Sequence, residues 1–117
     1  MSDLKFPKES RKKKRKKHKA SIMQEKDGRC FLCMLEGNDR LYRGIQEHHI
    51  FGGSNRKWSE EEGLKVYLCL KHHTAGKEAV HNNHLQMLKL QQIGQKEYEK
   101  THTRREFIQK FGRNYLE

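Results

Sequence analysis

The apolar positions of this chain fall into stretches of different period. From Leu41 to Ile50 and again from Leu64 to Leu68 the pattern is that of extended chain, so two strands are expected, with Gly44 as a bend in the first. Between them, Phe51 to Arg56 has the composition of a loop, and Ser59-Glu60-Glu61-Glu62-Gly63 reads as one capped helical turn closed by glycine. A short helix is expected to start after Cys69 and to stop at Gly76. Over residues 84–100, Leu85, Met87, Leu88, Leu90 and Ile93 recur at helical spacing behind Asn83, a suitable N-cap. Arg104 to Phe111 predicts a second helix, with Phe107, Ile108 and Phe111 facing inward and Gly112 ending it. These helical stripes are assigned to packing.

The first twenty residues fit neither period. Residues 8–19 are a block of like charge with nothing to bury, so a disordered basic tail is expected over 1–20. The chain carries +11 overall; +8 of it lies in residues 1–20, leaving +3 for the rest. A polyanion, above all DNA, is the expected partner, with Arg11, Lys12, Lys13, Lys14, Arg15, Lys16 and Lys17 as a phosphate-binding arm. At 117 residues, 32% of them apolar, the chain builds only a small core and would gain from a metal staple. Three cysteines without an apolar N-terminal segment suit metal ligation in a reducing compartment better than a disulfide framework, which makes a cytoplasmic location the expectation. The longest apolar run, Val66 to Leu70, is far too short for a membrane span.

The chemistry is concentrated in four short motifs: Cys30-Phe31-Leu32-Cys33, Glu47-His48-His49, Cys69-Leu70-Lys71-His72-His73, and His81. Two-residue spacers in Cys30/Cys33 and Cys69/His72 allow four ligands to surround one structural zinc ion, tying together both ends of a hairpin. That leaves His48, His49, His73 and His81 outside the clamp. Neutral imidazoles ligate metals and accept protons, and most histidine is neutral near pH 7 to 8. Adjacent strand residues point to opposite faces, so His48 and His49 must have different tasks.

The stretch from Cys30 to His81 resembles the HNH, or ββα-metal, endonucleases, in particular short phage-type members with a cysteine clamp. The resemblance implies an α+β fold in which a hairpin and a following helix hold one divalent cation. It implies His48 as a metal ligand, His49 as the general base and His73 as a second ligand; His81 is read as a third ligand to that cation. The cation would be Mg2+, Mn2+, Ni2+ or Zn2+, and the products a 5′-phosphate and a 3′-hydroxyl. Gly63 stands near the place where the family has its asparagine, whose carbonyl commonly orients the base; Asn55 is a candidate substitute.

The expected organisation is a tail at 1–20, a zinc-clamped nuclease core at 21–82 and C-terminal helices over 83–117 packed upon it. Arg56 and Lys57, beside Trp58, are candidates for phosphate contact in the inter-strand loop. The leading expectation is a DNA endonuclease that binds through the backbone with little sequence preference, in phage-related DNA processing or recombination in a bacterial or phage-infected cell. A zinc-stabilised nucleic-acid-binding module is the alternative from another class. A nuclease active only with a protein docked on its C-terminal helices is the third.

Overall fold

In the computed structural model, which describes residues 19–116, a two-stranded antiparallel sheet is surrounded by four α-helices. Residues 1–18 of the expected basic tail, Arg11 to Lys17 among them, lie outside the described residues. Strand β1 is Gln46–His49 and β2 is Lys65–Leu68, with Gln46 opposite Leu68, Glu47 opposite Tyr67, His48 opposite Val66 and His49 opposite Lys65. The ribbon is shorter than expected at its start, because Leu41 leaves the sheet for an isolated bridge with Arg29. The register gives the ribbon two faces: His48, Gln46, Val66 and Leu68 on one, and His49, Glu47, Lys65 and Tyr67 on the other.

The inter-strand connection is more helical than its composition suggests. After a 3-10 turn at Gly53–Asn55, helix α2 covers Arg56–Glu62, two turns rather than the single turn expected. Helix α1, Phe31–Leu35, precedes the sheet. Gly63 ends α2 at φ 71°, and a Cβ there would lie 2.6 Å from the Ala20 carbonyl oxygen. Residues before the clamp run along β2: Ile22 N donates to Gly63 O at 2.9 Å, Ser21 Oγ to Lys65 O at 2.6 Å, and Tyr67 N to Gln24 Oε1 at 2.7 Å. An exposed edge is thereby paired.

Helix α3, His84–Tyr98, starts where expected, Asn83 accepting from Leu85 N and Gln86 N. Its inward face keeps part of the expected stripe, with Met87 packed against the core, and adds residues that the spacing did not mark. Leu90, Gly94, Gln95 and Tyr98 are buried, whereas Leu85 is exposed. Gly94 permits a close approach: an added Cβ would sit 3.2 Å from Ile50. Helix α4, Arg104–Phe111, is closed at its start by a Thr103–Glu106 capping box. Phe107 and Phe111 are buried around Phe51, with ring centroids 5.4 and 4.8 Å from it, while Ile108 turns outward. Asn55 Nδ2 donates to Phe111 O at 2.9 Å and so binds the inter-strand connection to α4.

Candidate functional site

Cys30 N-caps α1 and its Sγ accepts from Cys33 N, which folds the first cysteine pair into a knuckle. Cys69 follows β2, and a π-helical turn at Lys71–Ala75 returns His72 N to the Cys69 carbonyl at 3.1 Å. All four side chains are buried. Nδ1 of His72 lies 3.4 Å from Sγ of Cys30, of Cys33 and of Cys69, and the sulfurs of Cys33 and Cys69 are 3.9 Å apart. A tetrahedral zinc, with bonds of about 2.3 Å to sulfur and about 2.0 Å to nitrogen, would separate sulfur from nitrogen by about 3.5 Å and sulfur from sulfur by about 3.8 Å. The four residues therefore lie close enough to hold a metal ion, and a structural zinc fits them. His72 Nε2 meets Glu36 Oε2 at 3.2 Å, an arrangement that leaves Nδ1 to the metal. With no metal, burial pushes the Cys30 thiol up to about 12, so filling the site displaces protons.

On one face of the ribbon His48, His73 and His81 form a second cluster whose ligand atoms lie within 4.8 Å of one another. Nε2 of His73 and of His81 are 3.2 Å apart. Gln46, two residues before His48, offers its side-chain oxygen to His73 Nδ1 at 2.7 Å. The proton thus belongs on Nδ1, and the lone pair of Nε2 faces the cluster. Nε2 of His48 is buried and has no hydrogen-bond partner among the described residues. Burial, reinforced by His73 and His81, lowers the His48 pKa to about 3; burial and His81 lower that of His73. The rings of His48 and His73, which burial keeps neutral, together with His81 and the orphaned nitrogen of His48, are a donor set suited to a divalent cation.

The opposite face holds a different arrangement. His49 Nε2 is 2.7 Å from Glu60 Oε1, and Arg56 Nε donates to His49 Nδ1 at 3.3 Å. Arg56 and Glu60 are four apart on α2 and so share a helix face. Lys65, across the ribbon from His49, is buried and places Nζ 3.1 and 3.2 Å from the Glu60 oxygens and 3.1 Å from Glu47 Oε2. Burial works against its charge, but the two carboxylates outweigh that and raise its pKa. Glu47, His49 and Glu60 are near enough together to hold a cation. The Lys65 ammonium already fills that role, which argues against a third metal.

Arg56 and Lys57 line an open cleft beside His49, together with Lys19 and Lys26. Lys57 lies over the Trp58 ring at 4.7 Å from its centroid. Asn55 is turned toward α4 instead, where its side chain binds the Phe111 carbonyl. His84 begins α3, and His102 stacks on Tyr98 at 4.1 Å, away from both clusters. Composition and spacing singled out neither Glu60, Lys65 nor Gln46. Among the described residues, no helix is long and apolar enough to cross a membrane. The chain matches no known protein-family model, no curated protein and no solved structure.

Proposed function

We propose that this chain is a metal-dependent endonuclease of the ββα-metal (HNH) type, hydrolysing DNA phosphodiesters through backbone contacts. The observation that carries the reading is the buried, unpartnered Nε2 of His48 beside His73 and His81, next in sequence to His49, whose ring stands on the other face. A binding module gives such an orphaned nitrogen no purpose, because a buried polar atom without a partner costs stability.

His48, His73 and His81 would hold the divalent cation, whose charge would oppose the negative charge building on the phosphate and the departing oxygen. His49 takes a proton from a water whose oxygen bonds to phosphorus. The bond from phosphorus to the 3′ oxygen breaks, and that oxygen takes a proton from solvent. Arg56 and Lys57 hold the phosphate backbone in the cleft. The zinc clamp carries no chemistry in this reading; four protein ligands leave no place for substrate.

The test is cleavage of supercoiled plasmid by zinc-loaded protein whose labile site has been emptied by mild chelation, followed by addition of magnesium, manganese or nickel. Cleavage that requires the added ion and disappears in His49→Ala, with DNA binding retained, supports the proposal. Activity unchanged in His49→Ala removes the assigned base. DNA binding without cleavage under any ion favours the binding module or a nuclease that needs a partner.

A further inference from the structure

The surroundings of His49 determine where its proton sits. The Arg56 guanidinium has only donors, so the Nδ1 it meets at 3.3 Å must be the unprotonated nitrogen. The proton of a neutral ring is then on Nε2, directed at Glu60 Oε1 2.7 Å away. Glu60 is itself held by Lys65, which contacts both its oxygens and is bound to Glu47 as well. The side chains of His49, Glu60 and Lys65 are only 10%, 22% and 5% exposed, so these bonds are poorly screened.

We infer that Glu60 is the positioning residue of His49, fixing its ring as the Nε2–H tautomer with the Nδ1 lone pair toward the basic cleft, where Arg56 covers it until a phosphate draws the guanidinium away. The inference rests on the nuclease reading for its catalytic consequence but not for the tautomer. A carboxylate that orients an imidazole by accepting one ring proton leaves the other nitrogen as the base. Arg56 is suited to the exchange, since a phosphate is a stronger partner for a guanidinium than a neutral ring nitrogen. Glu60 would thus orient the base through a side chain on α2, both ring nitrogens of His49 meeting side chains of that helix.

The experiment is long-range 1H–15N NMR of the histidine rings in the full, zinc-loaded chain, paired with plasmid-cleavage kinetics, for wild type, Glu60→Gln and Glu60→Ala. Thermal melts and zinc content verify that each variant is folded. In wild type, His49 should show an unprotonated Nδ1 and a protonated Nε2. The glutamine oxygen still accepts from Nε2–H, so Glu60→Gln should keep that signature and most of kcat. Glu60→Ala should give a mixture of tautomers and a kcat lower by about 10- to 100-fold with KM little changed. A proton on Nδ1 in wild type overturns the inference, as do wild-type tautomer and kcat in Glu60→Ala. Equal damage in Glu60→Gln and Glu60→Ala also overturns it, since the carboxylate would then act through its charge on Lys65. If no form cleaves DNA while the NMR signatures follow expectation, the nuclease reading fails and the positioning of His49 stands.

Discussion

His72 and His73 are neighbours in the chain whose rings serve different clusters: Nδ1 of His72 lies 3.4 Å from three thiols, whereas Nε2 of His73 lies 3.2 Å from His81 Nε2. The π-helical turn Lys71–Ala75 makes this geometry, and backbone bonds from Val80 N to His72 O and from His81 N to His73 O bring His81 back alongside. Whatever fixes His72 therefore also fixes His73 and His81. A metal held by Cys30, Cys33, Cys69 and His72 would thereby set the position of the second cluster as well.

That dependence gives the first prediction. Cys69→Ser, or strong chelation of the wild type, should abolish the cooperative thermal transition, because structural zinc is worth about 10 kcal/mol or more to small domains and this core is small. His73→Ala should leave the melt and the tightly held zinc in place. Circular dichroism melts with metal analysis provide the check; an undiminished melt in Cys69→Ser would discard the clamp.

A second prediction concerns Gly63. Its φ of 71° and the 2.6 Å approach of an added Cβ to the Ala20 oxygen act together, since a shift that relieves one leaves the other. Gly63→Ala should lose about 2 kcal/mol or more in urea denaturation, whereas Gly37→Ala, with positive φ but no neighbour within 4 Å, should lose about 1 kcal/mol. Equal losses at the two positions would show that the contact with Ala20 contributes nothing.

The difference between what the sequence shows and what it hides follows from how local each signal is. The clamp is legible in the two-residue spacings of Cys30/Cys33 and Cys69/His72, because a knuckle forms within one turn of chain. Helix α4 is legible because Thr103, Glu106 and Gly112 mark its ends. Glu60 is not, since its role depends on α2 lying across one face of the ribbon, and in sequence it is one of three consecutive glutamates. Periodicity gives only part of the inward face of α3: Leu90 and Met87 pack on the core, but Leu85 is exposed, while the buried Gln95 binds Glu99, Asn114 and Tyr115. A buried amide of that kind has no hydrophobic signature.

Arg56 and Lys57 carry the third prediction. If they grip phosphates, Arg56→Ala and Lys57→Ala should each weaken binding to unrelated DNA sequences alike and reduce the slope of log affinity against log salt by about 0.9. The two should differ in kinetics, since only Arg56 touches His49. Lys57→Ala should act mainly on KM, and Arg56→Ala on KM and also modestly on kcat. Fluorescence anisotropy over a salt series measures the slope, and an unchanged slope in both variants would remove them from the interface.

Acid sensitivity separates the histidine cluster from the rest of the fold. His48 has a pKa of about 3 in the folded chain against 6.5 for an ordinary histidine, mainly through burial. Between those values the unfolded state binds the proton and the folded state does not, so stability falls as pH drops from about 6.5 toward 3. His73, lowered for the same first reason, acts in the same direction. The full span for His48 corresponds to a loss on the order of 5 kcal/mol. Protonation of thiolates holding a zinc would also destabilise the fold in acid, but that would be common to wild type and to His48→Leu. With the histidine cluster free of metal, urea denaturation across this range should therefore show a shallower loss for His48→Leu than for wild type. A divalent cation held by the cluster should steepen the wild-type loss further, because protons then compete with the ion for the same nitrogens. Parallel slopes for wild type and variant, with and without the ion, would mean that His48 is neither buried as a neutral ring nor a ligand.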